Sequence, residues 1–358
     1  MTLRYLLTLW SVAFRFNLWT ESYGGHYGPQ FYDYFYEQNG LISSGEQSGV
    51  PLRMDTLGII NGITDYKIQA PYYPEFAVNN TYGIKAVNDT IYNMMKSMYW
   101  IPYGCADQID ICVLSQKTSE PGMDQCQFAT GVCRLYVEVP YYIVGNNGQI
   151  RGVYDVRHPY DDPTPPPYFE DYLNLASTQQ AIGVDLNYTK AYSRQVGRGF
   201  TLTGDEVLRQ SIRALERILD NGVRVNLIYG DADYICNWFG GEALSLQLEY
   251  AHAKEFRASG YVPFVVDGTE YGEVRQYGNF SFMRIYESGH EIPYYQPLAS
   301  LEFFRRTLGN LILSDGSEPV TPDYGTDGQA QATHTNSFVP FPSSSSSSAA
   351  AASSSLVV

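Results

Sequence analysis

Apolar and polar positions divide the chain into stretches of different texture. Phe14-Arg15-Phe16-Asn17-Leu18-Trp19 alternates and predicts a strand, and residues 30–44 predict a helix behind a sharp turn at residue 22. Leu57-Gly58-Ile59-Ile60, closed by Asn61-Gly62, predicts a buried strand. From about Tyr66 to Gly199 the pattern loosens. Tyr and Pro accumulate, helical periodicity shows only around 82–100 and 168–181, and Pro163-Thr164-Pro165-Pro166-Pro167 predicts a rigid loop. From Asp205 the alternation of helices and strands returns: a helix over 206–219 broken by Gly222, a strand over 223–230, a helix over 241–258, strands over 261–266 and 280–286, and a last helix over 298–313. Residues beyond Ser314, with a Ser/Ala run from Ser343, predict a disordered tail. The expected organisation is therefore an α/β core over 1–65 and 205–313, a cap insertion over 66–204 and a Ser/Ala-rich tail over 314–358.

Composition narrows the setting. Thirty-eight acids against 23 bases leave a net charge of -15, which argues against nucleic acid or an anionic membrane as partner and suits an acidic compartment. No apolar run is long enough to span a membrane. Residues 1–14 are apolar, yet they lack a small-x-small cleavage site, so they read as the lead into the first strand rather than a signal peptide. Four sequons, at Asn79, Asn88, Asn187 and Asn279, accompany Cys105, Cys112, Cys126 and Cys133, which fall in one stretch. Together they predict a protein of the secretory pathway, vacuolar or secreted. The four clustered Cys allow three disulfide connectivities. Their spacings do not suit a zinc site, and no cofactor is expected. Oligomeric state is not legible.

The candidate chemistry begins at Glu21-Ser22-Tyr23-Gly24-Gly25-His26-Tyr27-Gly28-Pro29. A nucleophile on a tight strand-to-helix turn needs small residues two before and two after it, and Thr20 and Gly24 stand there. An acyl-transfer triad also needs an imidazole and a carboxylate, in the chain order Ser, acid, His for an α/β-hydrolase. Asp233 lies in Gly230-Asp231-Ala232-Asp233-Tyr234-Ile235-Cys236-Asn237-Trp238, and His290 in Gly289-His290-Glu291-Ile292-Pro293-Tyr294. Both follow predicted strands, where open α/β sheets place their sites.

These three strings resemble the nucleophile, acid and His motifs of the serine carboxypeptidase family (peptidase S10), of fungal type. The resemblance covers roughly residues 14–313. It implies an α/β-hydrolase fold, with a mostly parallel sheet and a mainly helical cap, that removes residues from peptide C-termini at acidic pH. Ser22 would be the nucleophile, His290 the base, Asp233 rather than Asp231 the acid, and the Tyr23 N–H an oxyanion donor. Glu21 would bind the substrate's terminal carboxylate, with Cys236, Asn237 and Glu291 at the substrate. An anion at Glu291 would favour Lys or Arg as the departing residue. The resemblance further implies disulfides Cys105–Cys133 and Cys112–Cys126, with Cys236 free.

The departure from the family lies upstream of Ser22. Only 21 residues precede it, without the loop that supplies a second oxyanion donor. The expectation is an N-terminally truncated chain in which early strands are missing, the nucleophile strand forms an edge, and activity is weak or absent. An inactive fragment of the same fold and a carboxypeptidase-like acyltransferase are the alternatives. Attachment of a longer form to a cell wall or GPI anchor is left open.

Overall fold

The computed structural model describes residues 15–115, 123–162, 165–189, 194–208 and 211–337; the candidate leader at 1–14 and the Ser/Ala run lie outside them. Strands β1 (Arg15–Glu21), β2 (Arg53–Ile60), β3 (Arg224–Gly230), β4 (Val262–Val266), β5 (Thr269–Tyr277) and β6 (Phe280–Ile285) form one sheet in the order β1-β2-β3-β6-β5-β4. The β1–β2, β2–β3 and β3–β6 pairs are parallel, and β5 and β4 add antiparallel at the far edge. Among the described residues β1 forms the opposite edge, and its residues are mostly half-buried.

β3 is buried along its whole length. It therefore reads as a continuous apolar run, as expected of a parallel strand covered on both faces. Side chains still alternate between the faces. Leu57, Ile59, Val225, Leu227 and Tyr229 join the larger core cluster. Ile228, Met283 and Ile285 join the other, with Phe303. Helix α1 (Gly24–Ser44) packs on β1 and β2, and α5 (Ile212–Asp220) packs on α1. Helix α7 (Pro297–Leu308) covers the second face, where Phe303 stacks on Trp19 at 6.0 Å.

The six strands of the described residues lie within 15–60 and 224–285, and the described polypeptide between is helical where it is regular. Its main elements are α2 (Asp89–Trp100), α3 (Cys105–Ser115) and α4 (Met123–Cys133). Disulfides Cys105–Cys133 and Cys112–Cys126 join α3 to α4, and Cys236 is free and buried. Among the described residues no helix is long and apolar enough to cross a membrane.

Several expected boundaries move. Helix α1 begins at Gly24 rather than residue 30, because the elbow passes straight into it. α2 begins at Asp89 rather than 82, since the Asn88 side chain accepts from the Ile91 N–H and caps it. The stretch 168–181 divides at Asn174, and 241–258 divides between α6 (Trp238–Gln247) and a turn at Ala253–Ala258. Residues 206–219 hold a short turn, Asp205–Leu208, before α5. β5 was not anticipated. Its Glu, Arg and Gln residues resemble a loop until Glu273 meets Arg284 of β6 at 3.0 Å.

The predicted tail is also different over 315–337. Tyr261 bridges Gln329 and Tyr277 bridges Gly325. Buried Thr326 donates its hydroxyl to the Gly260 carbonyl at 2.6 Å. His334 stacks on Tyr286 at 3.7 Å, and the Asn336 N–H reaches the Thr81 carbonyl. A polar segment stays ordered here because the sheet edge offers it backbone partners.

Candidate active site

Four parallel strands deliver the site. Ser22 follows β1, Asn61 follows β2, Asp233 lies just beyond β3, and His290 lies in the loop after β6. All four positions are at C-terminal strand ends, on the side where an α/β sheet opens a crevice.

Ser22 has φ of 59°, a left-handed conformation unusual for a residue with a side chain. It is held from three sides. Its N–H donates to the Ile60 carbonyl at 3.1 Å, while its own carbonyl accepts from Gly25 and Ile63. The small neighbours are required by packing. A Cβ on Gly24 would lie 2.6 Å from the Thr20 Cβ, and one on Gly25 would lie 2.5 Å from the Ile63 carbonyl oxygen.

His290 and Asp233 form a buried pair, with His290 Nδ1 2.7 Å from Asp233 Oδ2. Donation of Nδ1–H to the carboxylate leaves Nε2 as the basic atom. The second Asp233 oxygen accepts from the Cys236 N–H at 3.3 Å. Cys236 completes a cluster in which a ligating atom from each of Asp233, Cys236 and His290 lies within 4.8 Å of the others. Burial holds its thiol well above the usual range, the Asp233 charge adds to this, and the nearby Ser22 hydroxyl opposes it.

Charge around the imidazole is dense. Burial lowers the His290 pKa, but Asp233, Glu21 and Glu291 outweigh it and leave the group above its ordinary value. Glu21 is exposed as a residue, yet atoms crowded around its carboxylate desolvate it. That desolvation, with Glu291 and Asp233, raises its pKa against the pull of His290. Burial likewise raises Glu291, with His290 opposing. Two acidic groups that hold protons more readily than usual thus stand beside the candidate base. They can donate to, or share a proton with, an incoming carboxylate.

The Tyr23 ring locks the start of α1. Its hydroxyl donates to Asp205 at 2.9 Å, and the ring stacks on His26 at 4.6 Å. The Asn237 Oδ1 accepts from the Gly240 N–H and its Nδ2 donates to the Tyr234 carbonyl, so the side chain caps α6. Asp231, buried, accepts from the Tyr82 hydroxyl at 2.7 Å and binds the Ser288 N–H, which fastens the acid loop to the His loop.

Two contributions were not read from the sequence. Asn61 donates to Asp233 at 2.6 Å. The Asn61-Gly62 pair marked only the end of a strand. The second is the segment around 153–157 of the intervening region. Its Val153 carbonyl accepts from Tyr234 and Ile235, its Tyr154 carbonyl accepts from the His290 N–H at 2.8 Å, and the Val156 N–H donates to Ala232. Backbone bonds of this kind leave no side-chain pattern to detect.

Comparison with known proteins agrees with this arrangement. The peptidase S10 family, serine carboxypeptidase, matches residues 12–310. Carboxypeptidase S1 homolog A of Arthroderma otae is 41% identical over 343 residues, covering 90% of this chain and 52% of its own. Carboxypeptidase S1 of Penicillium janthinellum is 33% identical over 293 residues, covering 82% and 66%. The chain spans about half the length of the first of these relatives. In structure it resembles Kex1Δp, a prohormone-processing carboxypeptidase from Saccharomyces cerevisiae, with a TM-score of 0.62, 18% identity, and coverage of 84% of this chain and 63% of that one. That likeness reflects a shared α/β-hydrolase fold.

Proposed function

Because the chain belongs to the serine carboxypeptidase family, we propose that it hydrolyses C-terminal peptide bonds through a Ser22–His290–Asp233 triad. The observation that carries the reading is the buried His290–Asp233 bond of 2.7 Å, set beside a Ser in the strained turn conformation. His290 Nε2 takes the Ser22 proton, Ser22 Oγ attacks the scissile carbonyl, and the same proton passes to the departing amine. Water then releases the acyl group by the reverse route. The Tyr23 N–H supports the oxyanion, and Glu21 and Glu291 receive the departing residue, whose terminal carboxylate shares a proton with Glu21. Sharing requires that proton to be present, which is the physical basis for an acidic working range.

The exposed positions of Asn79, Asn88, Asn187 and Asn279, together with two disulfides, support a glycosylated protein of the secretory pathway. The test of the activity is release of the terminal residue from a blocked dipeptide at acidic pH by the purified chain. Ser22→Ala and His290→Ala should each abolish the release. Release that survives both substitutions would reject the triad.

A further inference from the structure

We propose that Asn61 is a positioning residue for Asp233, a role that rests on the triad reading above. Its side chain is fully buried. Nδ2 donates to Asp233 Oδ2 at 2.6 Å, the same oxygen that meets His290 Nδ1 at 2.7 Å. Its own Oδ1 accepts from the Gly230 N–H at 3.1 Å. The carboxamide therefore has one workable orientation, because exchanging its oxygen and nitrogen would set N–H against N–H and oxygen against carboxylate.

The backbone is equally committed. Asn61 has φ of 44°, a conformation that Asn tolerates better than most residues. Its N–H donates to the Ile228 carbonyl at 2.7 Å, and the carbonyl of Ile60 before it accepts from the Ser22 N–H. One residue at the end of β2 thus links the nucleophile turn on one side to the acid loop on the other.

The chemistry follows from the shared oxygen. A carboxylate oxygen that accepts two N–H donors is fixed in rotation, so Asp233 presents a constant lone pair to His290. A neutral amide does this without adding charge. An unanchored carboxylate would let the imidazole rotate away from Ser22, which costs rate rather than substrate affinity.

Two substitutions separate this role from simple support. Asn61→Gly keeps the left-handed backbone and removes the amide. Asn61→Asp keeps size and conformation, but its new carboxyl donates only while protonated. The readouts are the rate of Ser22 labelling by a fluorophosphonate, and kcat and KM for the blocked dipeptide across the acidic-to-neutral range. Both variants should lose roughly 10–100-fold in labelling rate and kcat, the scale seen when an orienting partner is removed, with KM little changed. Asn61→Asp should recover on acidification, and Asn61→Gly should not. Variants that label at the unmutated rate, or an Asn61→Asp profile parallel to the unmutated one, would overturn the proposal. An unmutated chain that leaves Ser22 unlabelled would instead sink the triad reading. A further check needs no variant. In the unmutated protein an Asn61 Nδ2–H resonance should lie downfield of free carboxamides and move as His290 titrates; a resonance at the free position also overturns the role.

Discussion

Glu21 and Glu291 set the pH behaviour of the residue they surround. While ionised, both raise the pKa of His290 and favour the imidazolium, which cannot act as a base. Their own pKa values are raised, so they become protonated early as pH falls. Once they are neutral, burial counts for more and draws His290 back toward its basic form. The site thereby keeps a usable base at lower pH than the resting charge pattern suggests. Glu291→Gln removes one of the raising charges permanently, so the acid limb of the kcat profile should move to lower pH. A pH–rate series checks this; an unmoved or higher limb would contradict it. The same residue bears on specificity. Glu291→Met should lower the turnover of Lys-ended substrates relative to Leu-ended ones, read as a ratio of kcat/KM values. At this scale Ser22, Asp233 and His290 each stand in a distinctive string, and the structure pairs the last two. Asn237 carries no such mark, because an Asn that caps a helix and one that binds a ligand look alike in sequence.

At the scale of elements, the paired helices α3 and α4 are fastened by what their spacing permits. Cys105 and Cys112 are two helical turns apart and lie on one face, as do Cys126 and Cys133. Antiparallel packing then joins outer to outer and inner to inner. Replacing Cys105 and Cys133 together by Ala should lower stability by about 3 kcal/mol, because a long loop of the unfolded chain is released. Thermal unfolding measures the loss, and Ser22 labelling below the midpoint should persist, since the triad strands lie in the sheet. Element boundaries were less legible than element types. α2 was placed correctly by periodicity, but its start depended on the Asn88 side chain bonding the Ile91 N–H. β5 escaped notice because its polar residues are satisfied only across the strand pair, as Glu273 is by Arg284.

For the whole molecule, buried carboxyls and net charge act in the same direction. Burial pushes Asp231 and Glu273 up to about 6, with Arg284 opposing in both cases. Glu206 is pushed up to about 7, chiefly by burial and then by the nearby Glu138 charge, with Arg134 opposing. A carboxyl raised in this way adds stability that is complete below its unfolded value and is lost as pH rises through its folded value. The unfolding temperature should therefore climb from neutral pH toward pH about 5, helped by relief of self-repulsion at a net charge of -15. Glu206→Gln should flatten the upper part of that rise; a midpoint that falls on acidification would refute the account. The sequence by itself determined what is local or strongly patterned: the apolar runs of β2, β3 and β6, the turn at Ser22, and the chain order of Ser22, Asp233 and His290. Such features depend on residues adjacent in the chain, where sterics and periodicity act directly. The tertiary structure alone decided that Asn61 meets Asp233, that residues 153–157 brace the loops of Asp233 and His290, and that residues 315–337 lie against the sheet edge rather than free. Each of these rests on hydrogen bonds between groups far apart in the chain, and a polar residue or a bare backbone amide carries no local mark of the partner that folding will bring to it.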